Sequence, residues 1–260
     1  MLKKTYFTIS TNKIPKNFNK FKIVQLSDLH KVRFGKHQER LIQKIKEEKP
    51  DIILLTGDFA EPNRKYTNTL DLINGIKDLC PVYFVSGNHD FRLHGNYEKF
   101  KNNLERKGVI VLNNNSRSYR KKDTHIKLFG INDPAFTTGE ELSKENYEVA
   151  EKEISHLKRD DSYSILLSHH PEFMDLYSKY NFDLVFSGHS HGGQVSLPLI
   201  GALYVPNQGL FPEYQKGIYK KDTTTMIVSS GLGYSHLPFR LMNIPEIVVV
   251  NLEYIKKKSD

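Results

Sequence analysis

A single cysteine, Cys80, stands among the 260 residues, so no disulfide can form within the chain and no cluster of thiolates can hold a metal. Cys80 lies in the apolar stretch Leu79-Cys80-Pro81-Val82 and reads as a small core residue, and such low cysteine usage fits a reducing compartment. No run of about eighteen apolar residues occurs, so no segment has the make-up of a membrane-spanning helix. The opening MLKKTYFTIS lacks the apolar h-region of a signal peptide. A soluble, unexported, cytoplasmic protein is the expectation. A linker rich in Pro, Gly or Ser and any internal repeat are also lacking, and 38% hydrophobic content is enough for one substantial core. Residues 1–260 are read as one domain.

Positive charge, by contrast, is in excess. Lys and Arg number 38 against 30 Asp and Glu, giving +8 at pH 7 and a pI of about 9.2. Such a balance attracts phosphate esters, anionic lipid surfaces or nucleic acid. Part of it lies in clusters, between Arg117 and Lys122 and at Lys256-Lys257-Lys258, which read first as solvated loop and tail charge. No aromatic-rich basic motif accompanies it, which argues against nucleic acid as a partner.

Apolar runs of strand length fall at residues 21–27, 51–56, 81–86, 109–112, 125–131, 163–168, 183–187, 224–229 and 246–252, after an alternating stretch at 5–10. Helical spacing lies between several of them, at Leu41 and Ile45, at Leu70, Ile73 and Ile76, and at Tyr97, Phe100 and Leu104. The polar segment 138–158 reads as helix and the basic segment 113–123 as a surface loop. Residues 201–219, with Tyr204, Pro206, Phe211, Pro212 and Tyr214, read as an irregular loop near the pocket. Strands alternating with helices predict an α/β protein with mostly covered sheets.

The residues at the strand ends are the informative ones. Ser27 is followed by Asp28-Leu29-His30, Thr56 by Gly57-Asp58, and Ser86 by Gly87-Asn88-His89-Asp90. Ser168 is followed by His169-His170-Pro171, and Ser187 by Gly188-His189-Ser190-His191-Gly192-Gly193. Taken singly, each is an ordinary turn, helix cap or exposed loop. All five together carry imidazole, carboxylate or amide, and ligands of α/β sheets bind outside the carboxyl ends of strands. Mixed Asp, Asn and His donors suit Mn²⁺, Fe or Zn²⁺ better than a soft-metal cluster, with Mg²⁺ a further option. The donors suffice for two ions sharing a carboxylate. Such a pair, about 3.5–4 Å apart, activates a water and stabilises the attacking and leaving oxygens of a displacement at phosphorus.

This ordered series, Asp-x-His, Gly-Asp, Gly-Asn-His-Asp, a histidine segment and Gly-His-x-His, resembles that of the calcineurin-like metallophosphoesterase family. It runs from Asp28 to His191. The resemblance implies a two-sheet β-sandwich flanked by helices. It implies one ion held by Asp28, His30, Asp58 and His191, and a second by Asp58, Asn88, His169 and His189. His89 would then contact the phosphate and protonate the leaving oxygen, with Asp90 orienting it. His169, directly after strand-terminal Ser168, is preferred to His170 as the ligand. The flanks, including Gly188 to Gln194 and Pro238-Phe239-Arg240 to Pro245-Glu246, are similar to a bacterial branch whose members are often membrane-tethered. Some of that branch act on phospholipid-like or nucleotide-lipid diesters, although this chain has no N-terminal apolar anchor. The resemblance therefore implies a phosphodiesterase acting on a phosphate ester that could be lipid-linked, with peripheral contact to an anionic membrane through 234–241. A phosphomonoesterase or protein phosphatase is the alternative within the enzymes, and a non-catalytic metal-binding scaffold the alternative outside them.

Overall fold

The strand runs are apolar on both sides because both sides are covered. In β2 (Phe21–Leu26), Ile23 packs into one buried cluster with Leu128, Ile165 and Phe186. Its neighbours Val24 and Leu26 pack into another, with Leu41, Ile45 and Ile73. Successive side chains of a strand point to opposite faces, so a strand covered on both reads as a continuous hydrophobic run. β3 (Ile52–Thr56) divides in the same way, Ile52 and Leu54 from Ile53 and Leu55.

The computed structural model describes residues 2–62, 66–192, 212–234 and 244–256, together with the course of the chain at 196–197, 201–202, 204–205 and 209–210. One six-stranded sheet has the order β1 (Lys3–Thr11), β16 (Glu246–Tyr254), β2, β3, β4 (Val82–Val85), β5 (Ile110–Val111). Its strands β2 to β5 are mutually parallel, and β16 runs antiparallel to β2. The other six-stranded sheet has the order β14 (Gly217–Lys221), β15 (Thr224–Val228), β9 (Leu184–Ser187), β8 (Tyr163–Leu167), β7 (Thr124–Gly130), β6 (Asn115–Lys121). Here β15, β9, β8 and β7 are parallel, with an antiparallel strand at each edge. Two short antiparallel pairs lie outside both sheets, β10 (Ser196–Leu197) with β11 (Gly201–Ala202) and β12 (Tyr204–Val205) with β13 (Gly209–Leu210).

Helices α1 (Glu39–Glu48), α2 (Thr67–Ile76) and α4 (Tyr97–Arg106) bury Leu41, Ile45, Ile73, Ile76, Phe100 and Leu104 against the outer face of the first sheet. Their spacing of three and four residues places each set on one side of its helix. On the second sheet, α6 (Asn146–His156) and α7 (Met174–Lys179) bury Ala150, Ile154, Leu176 and Tyr177 against Phe129, Leu166 and Val185. The inner faces of the two sheets meet in a middle core that joins Ile23, Leu54, Tyr83 and Val248 to Leu128, Ile165, Phe186 and Ile227. The result is the helix-flanked two-sheet sandwich expected. Two one-turn α-helices, α3 (Asn88–Phe91) and α5 (Ala135–Thr138), and four short 3₁₀ helices complete the elements among the described residues.

Two readings of the sequence are corrected. The expected loop at 113–123 contains β6, an edge strand paired along its length with β7. Its polar and basic side chains alternate outward on an edge that only one neighbour covers, where charge deters pairing with another chain. The expected helix at 138–158 is shorter: α5 stops at Gly139, in the left-handed region at φ 79°, and α6 starts only at Asn146. Of the segment 201–219, Pro206 and Phe211 lie outside the described residues, while Tyr214 is buried with its ring 5.1 Å from that of Tyr219. Of 234–241, only Tyr234 is described, and its ring lies 5.1 Å from Lys31 Nζ. Cys80 is half-buried against the outer core, and burial pushes its thiol up to about 12. Among the described residues no helix is long and apolar enough to cross a membrane.

Candidate metal centre

All five polar clusters leave the carboxyl ends of parallel strands, β2, β3 and β4 in one sheet and β8 and β9 in the other, and meet where the sheets join. Gln25, buried in β2, ties the seam by donating from Nε2 to Thr56 Oγ1 at 3.0 Å and to the Ser187 carbonyl at 2.9 Å. Main-chain bonds then lock the turns together: Asp28 N–H to Gly57 O at 3.0 Å, His30 N–H to Asp58 O at 3.0 Å, and Gly188 N–H to His169 O at 3.1 Å. Asp28, His30, Asp58, His189 and His191 all adopt positive φ, between 48° and 66°. This conformation costs non-glycine residues on the order of 1–3 kcal/mol each and persists where surrounding structure enforces it. Its concentration in the predicted ligand residues was not readable from spacing.

Asp58 stands at the centre. Its Oδ2 lies 3.7 Å from His30 Nε2 and 3.3 Å from His169 Nε2, while Oδ1 accepts the His89 N–H at 2.8 Å. His191 Nε2 lies 3.3 Å from His30 Nε2 and 3.5 Å from Asp28 Oδ1. On the other side, Asn88 Oδ1 lies 3.1 Å from His189 Nδ1. The outer nitrogens fix which atoms face inward. His169 Nδ1 donates to the Thr56 carbonyl at 2.7 Å, and His30 Nδ1 pairs with Glu61 Oε1 at 2.8 Å, leaving both Nε2 atoms as lone-pair donors to the centre. Asn88 Nδ2 donates to Glu141 Oε2 at 2.9 Å, which turns Oδ1 inward.

These groups fit divalent ions and poorly satisfy one another. Asp28 Oδ2 and His169 Nε2 are buried without a hydrogen-bond partner among the described residues. His30 Nε2 and His191 Nε2 stand 3.3 Å apart beside two buried carboxylates, a crowding of donor atoms that suits a shared cation. Asp28, His30, Asp58 and His191 form one group whose donor atoms lie within 4.8 Å of each other. Burial and the adjacent Asp58 push Asp28 above the usual carboxylate range. For Asp58, burial is outweighed by His169, His89 and His30, and its carboxyl is held well below that range. His169 is pulled down by burial but raised to about 9 by Asp58 and Asp28, whereas burial and nearby His170 lower His189 to about 3. His189 is thus neutral and ready to ligate at neutral pH, and an ion entering beside Asp58 would displace the proton of His169.

The neighbouring pair separates clearly. His169 faces the carboxylates; His170 Nε2 is 2.6 Å from Asp133 Oδ2 and its Nδ1 2.9 Å from Glu172 Oε1. Asp90 is placed differently from expectation. Its two oxygens accept four main-chain N–H groups, from Asp58, Phe59, Ala60 and Gly87, at 2.9–3.0 Å. Asp90 therefore joins the turn that presents Asp58 to the one that presents Asn88 and His89. A carboxylate that does reach the His89 ring is Glu61, with Oε2 3.3 Å from Nδ1, and Arg92 Nη1 lies 3.1 Å from Nε2. Arg92 in turn pairs with Glu141 through Nη2 at 2.6 Å. Glu61, Arg92 and Glu141 lie outside the five clusters. Glu61 comes three residues after Asp58 and Arg92 two after Asp90, but no periodicity marks them.

Close approach accounts for the glycines of the motifs. A Cβ on Gly188 would collide with Ser27 Oγ and stand 2.6 Å from Asp28 Oδ2; one on Gly87 would collide with Asp58 Oδ1. Gly188→Ala is expected to displace Asp28, reducing metal occupancy and destabilising the metal-free fold by about 1–3 kcal/mol, the usual cost of overpacking. Elemental analysis with thermal denaturation checks this, and full occupancy with an unchanged Tm would contradict it.

The fold and this constellation define a class of phosphoesterases. Residues 21–193 match the family model described as calcineurin-like phosphoesterase. The chain belongs to that family and is a metal-dependent phosphoesterase, a hydrolase of phosphate esters that works with divalent ions. It is 32% identical over 261 residues to the metallophosphoesterase YkuE of Bacillus subtilis (strain 168), covering 97% of this chain and 86% of that protein. A metallophosphoesterase of Aquifex aeolicus (strain VF5) is 30% identical over 255 residues, with 95% and 90% covered. Among solved structures, the fold is similar to that of the Thermus thermophilus sulfate thiohydrolase SoxB, with a TM-score of 0.51 at 13% identity, over 90% of this chain and 57% of that one.

Proposed function

We propose that the chain, as one domain, is a dinuclear phosphodiesterase. One ion would be held by Asp28, His30, Asp58 and His191 and the other by Asp58, Asn88, His169 and His189. The observation that carries this reading is the position of Asp58, whose Oδ2 faces His30 on one side and His169 on the other. Bound there, divalent ions, with Mn²⁺ the best match to these donors, would supply activation of a water and neutralisation of phosphate charge. The remaining work falls to the chain. His89 donates a proton to the leaving oxygen, Glu61 holds the rings of His89 and His30, and Arg92 brings a guanidinium to the same edge. The presence of His89 beside a full donor set favours an enzyme over a non-catalytic scaffold.

Room for a second ester group supports a diester over a monoester. A groove of about 900 Å³ has Arg92, which touches His89, in its lining with Pro62, Tyr66, Leu70, Leu93 and Lys99 among others. Its mixed apolar and cationic wall suits a lipid-linked phosphate ester, and the charge of +8 suits peripheral contact with an anionic membrane. With Mn²⁺ supplied, bis-p-nitrophenyl phosphate is expected to be hydrolysed with a higher kcat/KM than p-nitrophenyl phosphate. Vesicles of anionic lipid are expected to sediment the protein less as salt rises. Preference for the monoester would move the assignment to a phosphomonoesterase or protein phosphatase, and no vesicle binding at low salt would remove the membrane contact.

A further inference from the structure

The residues after β15, Ser229 to Tyr234, belong to none of the five polar clusters but pack along the turn that presents Asp28. Leu232 N–H donates to the Ser27 carbonyl at 2.9 Å and Gly233 N–H to the Asp28 carbonyl at 2.6 Å, so the two carbonyls flanking the Asp28 α-carbon are both held. Ser229 N–H donates to the Ser187 carbonyl at 2.9 Å, just before the strand end that leads to His189. A Cβ on Gly231 would stand 2.7 Å from Asp28 Cβ and 3.0 Å from Oδ2, so this turn comes as near to Asp28 as glycine allows. Asp28 itself is left-handed, at φ 53°. Such a conformation persists only where neighbours fix the backbone, and these two N–H groups do so.

The turn is fixed in its own place by Glu246, the first residue of β16, which is 3% exposed. Its Oε1 accepts the Ser230 N–H at 2.7 Å, and its own N–H donates to the Gly231 carbonyl at 3.2 Å. Its Oε2 accepts the Thr5 hydroxyl at 2.7 Å and lies 3.2 Å from Lys3 Nζ, both on β1. Burial would raise the pKa of this carboxyl, but the Ser230 N–H, the Thr5 hydroxyl and Lys3 outweigh it and hold the pKa below its ordinary value. A buried carboxylate is costly unless its partners are in place, and here one oxygen is spent on the turn and the other on β1. Pro245-Glu246 also ends the flanking stretch singled out in the sequence, to which the proposed reaction gives no part.

We propose that Glu246 is a positioning residue for metal binding: through the turn from Ser230 to Gly233 it fixes the backbone of Asp28, and with it the carboxylate offered to the ion. The inference rests on the assignment of Asp28 as a ligand in the proposed centre. Its effect falls on one ion more than the other, because Asn88 and His169 are oriented from elsewhere, by Glu141 and the Thr56 carbonyl. Glu246→Ala removes the acceptor of the Ser230 N–H. Glu246→Gln keeps an acceptor there and loses the charge beside Lys3. Thr5→Val removes one donor to Oε2 without touching the turn.

The test is equilibrium dialysis of the full chain against graded Mn²⁺, followed by elemental analysis, with thermal denaturation of the metal-free proteins. Wild type is expected to load in two steps, and Asp28→Asn marks the step that depends on Asp28. In Glu246→Ala the marked step is expected to weaken about 10-fold, the lower end of the range for groups that orient a ligand, while the other stays in place. Glu246→Gln and Thr5→Val weaken the same step by smaller factors. An unchanged marked step in Glu246→Ala would overturn the proposal. If the alanine variant does not fold, an unchanged marked step in both Glu246→Gln and Thr5→Val would overturn it equally. So would equal weakening of both steps with a lowered Tm, the mark of a merely structural role. A wild-type chain that loads a single ion would overturn the dinuclear reading and not this inference: weakening of that one step, more in Glu246→Ala than in Glu246→Gln, supports it, and no weakening overturns it.

Discussion

Asp58→Asn is expected to lose at least one of the two ions and to reduce turnover by about 10³-fold or more, equivalent to roughly 4 kcal/mol of lost transition-state stabilisation. The side chain is buried at 1% exposure, with Oδ2 between His30 and His169 and Oδ1 on the His89 N–H. Asparagine keeps the shape and an acceptor for that N–H, so the fold should survive. The loss is the negative charge that would offset the mutual repulsion of the two proposed ions. The three surrounding histidines that hold Asp58 ionised show how much positive charge the position tolerates. Elemental analysis and initial rates on bis-p-nitrophenyl phosphate measure the two effects, which should fall together. A fully loaded pair with normal turnover in Asp58→Asn would rule out the shared position.

His89→Ala should separate chemistry from metal binding. Metal content is expected to stay near that of wild type, while hydrolysis of esters with poor leaving groups falls by about 10²–10⁴-fold, the range for a positioned proton donor. Burial lowers the pKa of His89, but Asp58 and Glu61 outweigh it and raise the pKa above its ordinary value. Glu61 stays beside the ring when ions are bound and favours the protonated, donating form, so activity is expected to fall as pH rises through the pKa of His89. In His89→Ala this alkaline limb should vanish from the pH–rate profile. The defect should also shrink for p-nitrophenolate, which leaves without protonation. A variant that loses its ions would place His89 among the ligands instead.

The sequence by itself determined the architecture and put forward the candidate donor set. Strand runs such as Ile23 to Leu26 and Ile52 to Leu55 are apolar on both faces because helices cover one side and a second sheet the other, so burial is written directly into residue type. The candidate ligands were legible because each comes directly after its strand, where the parallel order brings distant segments to one edge. Edge strand β6 was not legible, since an exposed edge imposes no apolar pattern. Tertiary structure alone decided which groups support the centre. Glu61 on His30 and His89, Glu141 on Asn88 and Arg92, and Asp90 on four main-chain N–H groups are contacts between separate turns, invisible to periodicity. The sequence already favoured His169 over His170 for its place directly after Ser168, but where the two rings point is visible only in the structure. The two are neighbours of identical chemistry, and opposite orientation at the end of β8 sends one to Asp58 and the other to Asp133 and Glu172. Residue type limits the partners a side chain can bind, but the backbone direction at a strand end settles which of them it meets.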